Sequence, residues 1–144
     1  MKVIGFRFNK ISGEKKGENI EGLKVNTNID VFDIKEMKSS GFFGGKEQIL
    51  DISFKYEIEY SPEYAKLNLE GNILISAESK IAKDIIQQWK DKKLPTEFRI
   101  ELFNLIIKRA SVKSLILEED LNIPYHMPFP KLSVKDGKSD SEEK

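Results

Sequence analysis

Cysteine is absent from this chain of 144 residues. That excludes disulfides, thiol nucleophiles and thiolate metal sites, and it makes a reducing, cytoplasmic setting the default expectation. Histidine occurs once, at His126, so a transition-metal site has almost no ligands to draw on, and neither metal nor cofactor is expected. No apolar run approaches the roughly 20 residues of a membrane span. Residues 1–6 begin a strand pattern at once, without the basic stretch and apolar core of a signal peptide. An excess of charge is missing too, since 24 Lys and Arg balance 24 Asp and Glu. Such balance argues against nucleic acid as a partner, because phosphate binding wants a basic surplus. It also leaves little self-repulsion to oppose association between chains.

What is present is periodicity. From Leu50 to Tyr60 every even position is apolar and every odd position polar, the pattern of a strand with one covered face. A turn at Ser61 and Pro62 leads into a second run with Leu67, Leu69, Ile73 and Ile75 on one face. Gly71 interrupts it, which permits a bulge or the close approach of another backbone. Upstream, Ile4, Phe6 and Phe8 alternate, and so do Leu23, Val25, Thr27, Ile29 and Val31. The second of these slips phase at Phe32 and Ile34, the mark of a β-bulge or a strand end. Between them, the charged residues 12–19 read as a loop. The expectation is a four-stranded antiparallel sheet with one covered face.

The period then changes. Ile81, Ala82, Ile85, Ile86 and Trp89 recur at helical spacing after Ser76 or Ser79, either of which can cap. Residues 90–93 close this helix with mostly positive charge. Pro95 opens a second helix, expected over about 96–117. Its apolar set includes Phe98, Ile100, Leu102, Phe103, Leu105, Ile106, Ile107, Ala110, Val112, Leu115 and Ile116. A surface helix needs a stripe somewhat over 100° wide, and this set is far wider. Either the helix lies deep in the monomer's own core or, the favoured reading because one sheet covers only one side, its other sides meet a second copy of the chain. Phe98, Leu102, Leu105, Ile106 and Arg109 are the expected contacts of that oligomer. Three prolines within residues 124–130 then bar regular structure, giving an extended arm carried by Ile123, Tyr125, Met127 and Phe129. The domain is expected to span 1–134, with 135–144 a solvated tail.

Chemistry is sparse. Gly41, Gly44, Gly45 and Lys46 lack the glycine spacing and the Ser or Thr of a phosphate loop, and they precede a strand. Glu118, Glu119 and Asp120 read as a solvated helix end, and His126 as a surface or packing residue. No nucleophile elbow is present, and an enzyme is not expected. Phe42 and Phe43, aromatic residues in a glycine-rich loop, either pack on the core or mark a binding patch.

This order of elements resembles the SecB export-chaperone family, and more closely its SecB-like relatives. The strand pair 52–58 and 67–75, Leu94 and Pro95 opening the long helix, and the apolar, proline-rich segment 121–130 carry the resemblance, which spans about residues 1–130. It implies an α+β fold with two helices on one face of the sheet, assembly through the long helix into a dimer of dimers, and ATP-independent binding of unfolded or precursor polypeptides in apolar grooves. The expected groove residues are Phe42, Phe43, Trp89, Tyr125, Met127 and Phe129. The chain departs from the acidic family in being neutral, with only Asp51, Glu57, Glu59 and Glu70 to form the acidic patch that docks the export motor. A module for one specific partner is the other reading of the same surface.

Overall fold

Alternation along the strands decides the sheet. In the computed structural model, which describes residues 1–37 and 47–134, four strands run β1 (Lys2–Lys15), β2 (Lys24–Met37), β3 (Glu47–Ser61) and β4 (Ala65–Glu78). They form one antiparallel sheet in the order β1-β4-β3-β2. The register places Ile52 opposite Ile73, Tyr56 opposite Leu69 and Ile58 opposite Leu67. The even side chains of β3 and the odd ones of β4 therefore share one face, and Leu50, Ile52, Phe54, Ile58, Leu67, Leu69, Ile73 and Ile75 on it are fully buried. The slip read at Phe32 is a β-bulge: the register shifts between Val31 and Asp33, leaving Val31 and Ile34 buried and Phe32 exposed.

Gly71 allows close approach, as its place in β4 suggested. A Cβ there would lie 2.1 Å from the Arg7 carbonyl oxygen and 2.9 Å from the Phe54 ring. The rings of Phe8 and Phe54, on the strands either side, use the space and meet with centroids 6.1 Å apart.

Two helices, α1 (Ser79–Trp89) and α2 (Thr96–Leu121), lie on the apolar face. The fold is thus α+β, a four-stranded antiparallel sheet with two helices on one side. α1 buries Ala82 and Ile85. Its N-cap is Glu78, and no side chain caps it, so neither Ser76 nor Ser79 plays the expected part. Ser76 belongs to β4, where its hydroxyl donates to Glu47 Oε2 (3.0 Å).

α2 buries Phe98, Leu102, Ile106, Ala110, Ser111, Ser114 and Glu118. The buried side is bulky at Phe98, Leu102 and Ile106, small at Ala110, Ser111 and Ser114, and carries a carboxylate at Glu118. The small Ser111 side chain leaves the Tyr56 hydroxyl room to reach the helix. There the Tyr56 and Ser111 hydroxyls are 3.2 Å apart.

Two boundaries differ from expectation. Residues 12–15, read as loop, belong to β1: they pair with residues 65–68 of β4, and backbone pairing on an edge strand needs no apolar alternation. α2 runs a turn beyond residue 117, to Leu121. It ends with Asn122 in the left-handed conformation (φ 56°). The Asn122 and Ile123 N–H groups return to the carbonyls of Glu119 (3.2 Å) and Glu118 (3.1 Å), a Schellman end.

Candidate functional site

Glu118 is not solvated. It is 0% exposed, and burying a carboxylate requires partners. Its Oε1 accepts the His126 backbone N–H (3.0 Å), and its Oε2 lies 2.6 Å from His126 Nδ1. The imidazole is itself almost enclosed. The Tyr60 hydroxyl donates to the Pro124 carbonyl (2.5 Å). Burial first, and the Glu118 charge second, raise the Tyr60 hydroxyl pKa well above its ordinary value of 10.0. Burial likewise raises Tyr56, against the opposing effect of its Ser111 hydrogen bond. These contacts, with buried Ile123, fix the arm to the end of α2. They make a structural clasp.

The arm's remaining apolar side chains face outward. Tyr125, Met127 and Phe129 are exposed. Tyr125 and Phe129 stack with centroids 4.9 Å apart, and the Tyr125 hydroxyl bonds Glu119. Trp89 stands elsewhere, half-buried at the end of α1. It lines a cavity of about 390 Å³ with Asp30, Val31, Gln88, Lys92, Lys93, Leu94, Arg99 and Phe103. Residue 103 and residue 118 are 15 positions apart on α2, roughly 22 Å at 1.5 Å per residue. Trp89 and the arm are therefore separate patches. Phe42 and Phe43 lie outside the described residues, as do the glycines and Lys46 around them.

α2 is apolar well beyond its buried side. Ile100, Ile107, Val112 and Ile116 are between 42% and 59% exposed. Ile100, Phe103 and Ile107 recur at i, i+3 and i+7, forming one stripe that borders the Trp89 cavity. Leu105, Arg109, Val112 and Ile116 form another at i, i+4, i+7 and i+11. Of the expected oligomer contacts, Phe98, Leu102 and Ile106 are buried within this single chain. Leu105 is half-buried, and Arg109 is exposed with its guanidinium 4.5 Å from the Phe6 ring of β1. Sequence reasoning found the helix but missed the cations beside Trp89, because residues 90–93 read equally well as a favourable helix end.

A second cavity of about 520 Å³ lies between α1 and the start of α2, lined by Ile81, Ile85, Pro95 and Phe98 with Lys80, Asp84 and Glu97 at its rim. On the opposite face of the sheet, Lys55 and Lys66 both pair with Glu57 (3.7 and 3.5 Å), and Lys10 lies 4.0 Å from Glu70. Asp51 accepts from the Asn72 amide (2.7 Å). This face carries interleaved charge, without a continuous acidic patch. Among the described residues no group of three or more His, Asp or Glu side chains is placed to hold a metal ion, and no helix is long and apolar enough to cross a membrane.

No family model matches the chain, and no curated protein matches it. Among solved structures it is similar to the SecB-like chaperone Rv1957 of Mycobacterium tuberculosis, in complex with a ChAD peptide from the Rv1956 HigA1 antitoxin. The likeness covers 92% of this chain and 90% of the other at 12% identity, with a TM-score of 0.46. It is to the family that the order of elements suggested, and it concerns the arrangement of strands and helices alone.

Proposed function

We propose that this chain is an ATP-independent holdase that binds non-native polypeptides on apolar surface its own fold leaves uncovered. One observation carries the reading: α2 fills the core with one side and exposes Ile100, Ile107, Val112 and Ile116 on others. Isolated exposed apolar residues are ordinary, but contiguous stripes on one helix mark contact surfaces. Burial of apolar area yields roughly 25 cal/mol per Å² whatever the client's sequence, so such stripes suit segments that share only hydrophobicity. In this reading Ile100, Phe103 and Ile107 with Trp89 form the client groove. Tyr125, Met127 and Phe129 form a second apolar patch at the far end of α2, and Phe42 and Phe43 add to the client surface. The stripe of Leu105, Arg109, Val112 and Ile116 meets a second copy. A cytoplasmic site of action follows from the same reading. A link to export would not run through a continuous acidic docking patch, since lysines interrupt it.

The test is suppression of aggregation. Stoichiometric protein should keep several chemically unrelated, heat-unfolded clients in solution, and Ile100→Asp with Ile107→Asp should remove most of that effect. Failure with every client would refute the holdase reading. A pull-down recovering a single stoichiometric partner would favour a dedicated interaction module on the same surface. Sedimentation should give a multiple of 16.6 kDa, reduced by Val112→Glu with Ile116→Glu. A strict monomer would remove the assigned role of the second stripe.

A further inference from the structure

We infer that the cavity beside Trp89 is an anion subsite of the client groove, taking an acidic side chain that a polypeptide carries next to an apolar one. The inference rests on the holdase reading and narrows it. The cavity walls are apolar at Val31, Trp89, Leu94 and Phe103, and the remainder is Gln88 with three cations against one carboxylate: Lys92, Lys93 and Arg99 against Asp30. In a chain of zero net charge, that surplus is local.

The cations are held but not neutralised. Among the described residues none of the three has a carboxylate within the 4.0 Å of an ion pair. Lys92 Nζ instead lies 4.6 Å from the centre of the Trp89 ring, and the Arg99 guanidinium lies 5.1 Å from that of Phe103. A cation on an aromatic face keeps its full charge. The turn that presents the lysines is tied to α1: the Lys92 N–H donates to the Trp89 carbonyl (2.8 Å) and the Lys93 N–H to that of Gln88 (3.1 Å). An incoming carboxylate would meet a guanidinium fork able to bind it through two parallel hydrogen bonds, in a cavity that two ammonium groups also line. Its neighbouring apolar side chain would lie against Trp89 and Phe103. A cavity of about 390 Å³ suits one or two side chains of an extended segment. Three cations around one hole do not make the linear track that a phosphate backbone requires.

Trp89 is the only tryptophan, so its emission reports on this cavity directly. The experiment titrates the full chain with short, doubly capped peptides that share one apolar core and carry Glu, Gln or Lys beside it. The acidic peptide should shift Trp89 emission and bind about tenfold more tightly than the basic one, with the gap narrowing as salt rises. Lys92→Gln with Arg99→Gln should erase the preference, while Lys66→Gln on the opposite face of the sheet should keep it. Equal or tighter binding of the basic peptide would overturn the inference. So would a preference that survives the double substitution, silence of Trp89 with every peptide, or displacement of the acidic peptide by a single-stranded oligonucleotide. Suppressed aggregation without acidic preference would sink this inference alone, whereas absence of suppression would sink the holdase reading beneath it.

Discussion

Gly71→Ala puts one methyl group where the sheet has no room for it. The added Cβ would sit 2.1 Å from the Arg7 carbonyl oxygen, and ordinary contact begins near 3.4 Å, so β1 and β4 must separate by about 1.3 Å. A hydrogen bond of about 2.9 Å stretched that far is broken. Losing two ladder bonds costs about 2 kcal/mol. The same methyl also lies 2.9 Å from two atoms of the fully buried Phe54 ring, and overpacking of that kind costs about 1–3 kcal/mol. The expected destabilisation is about 3–5 kcal/mol, equivalent to a fall in Tm of roughly 10 °C or more for a chain of this size. Urea unfolding followed by far-UV circular dichroism measures it. Gly5→Ala is the matched control on β1, because its Cβ would meet Leu74 Cδ1 at 3.5 Å, an ordinary contact, and it should stay within about 1 kcal/mol of the parent. If both variants lose the same stability, or Gly71→Ala loses less than about 1 kcal/mol, close approach is not why glycine stands there.

Glu118→Ala should cost about 2–4 kcal/mol, since it removes the carboxylate that accepts the His126 N–H and leaves buried donors unmatched. Hydrogen exchange should then show the arm from residue 122 losing protection before the sheet does, and unchanged protection there would refute the clasp. At alkaline pH, Tyr60 supplies a further signature. Its pKa is raised in the folded chain, so above the ordinary value of 10.0 the unfolded state releases a proton that the native state keeps. Stability should hold below pH 10 and fall above it. Tyr60→Phe, though weaker at neutral pH for want of the Pro124 hydrogen bond, should show a shallower alkaline decline in urea midpoint. An identical slope would remove Tyr60 from the account.

The sheet was largely legible because half-buried strands print their geometry as alternation. Even the bulge at Phe32 and the tight packing at Gly71 left marks, one as a slipped phase and the other as a glycine amid leucines and isoleucines. Polar edge pairing leaves none, so Ser12 and Glu14 looked like loop although their backbone pairs with β4. Glu118 was misread for a related reason. A carboxylate becomes a core residue only when a partner is brought to it, and His126 arrives by a chain reversal that no local pattern foretells. The over-wide apolar face of α2 was visible, but which of its residues are spent inside the monomer was not. Phe98, Leu102 and Ile106 go to the core while Ile100 and Ile107, equally apolar, do not. The helical repeat offers several sides, and only the sheet's position chooses among them.

The unequal underside of α2 has a consequence for how this surface can change. The helix rests on Phe98, Leu102 and Ile106 over its first half and on Ala110, Ser111 and Ser114 beyond it. The Trp89 cavity opens beside the bulky half, between α2 and β2. Phe98, Leu102 and Ile106 support that half of the helix without lining the cavity. Altering what the cavity admits by resizing those side chains would also reshape the core, whereas altering its rim at Lys92 or Arg99 would not. Adaptation to new clients therefore has an easy axis in charge and a hard axis in size.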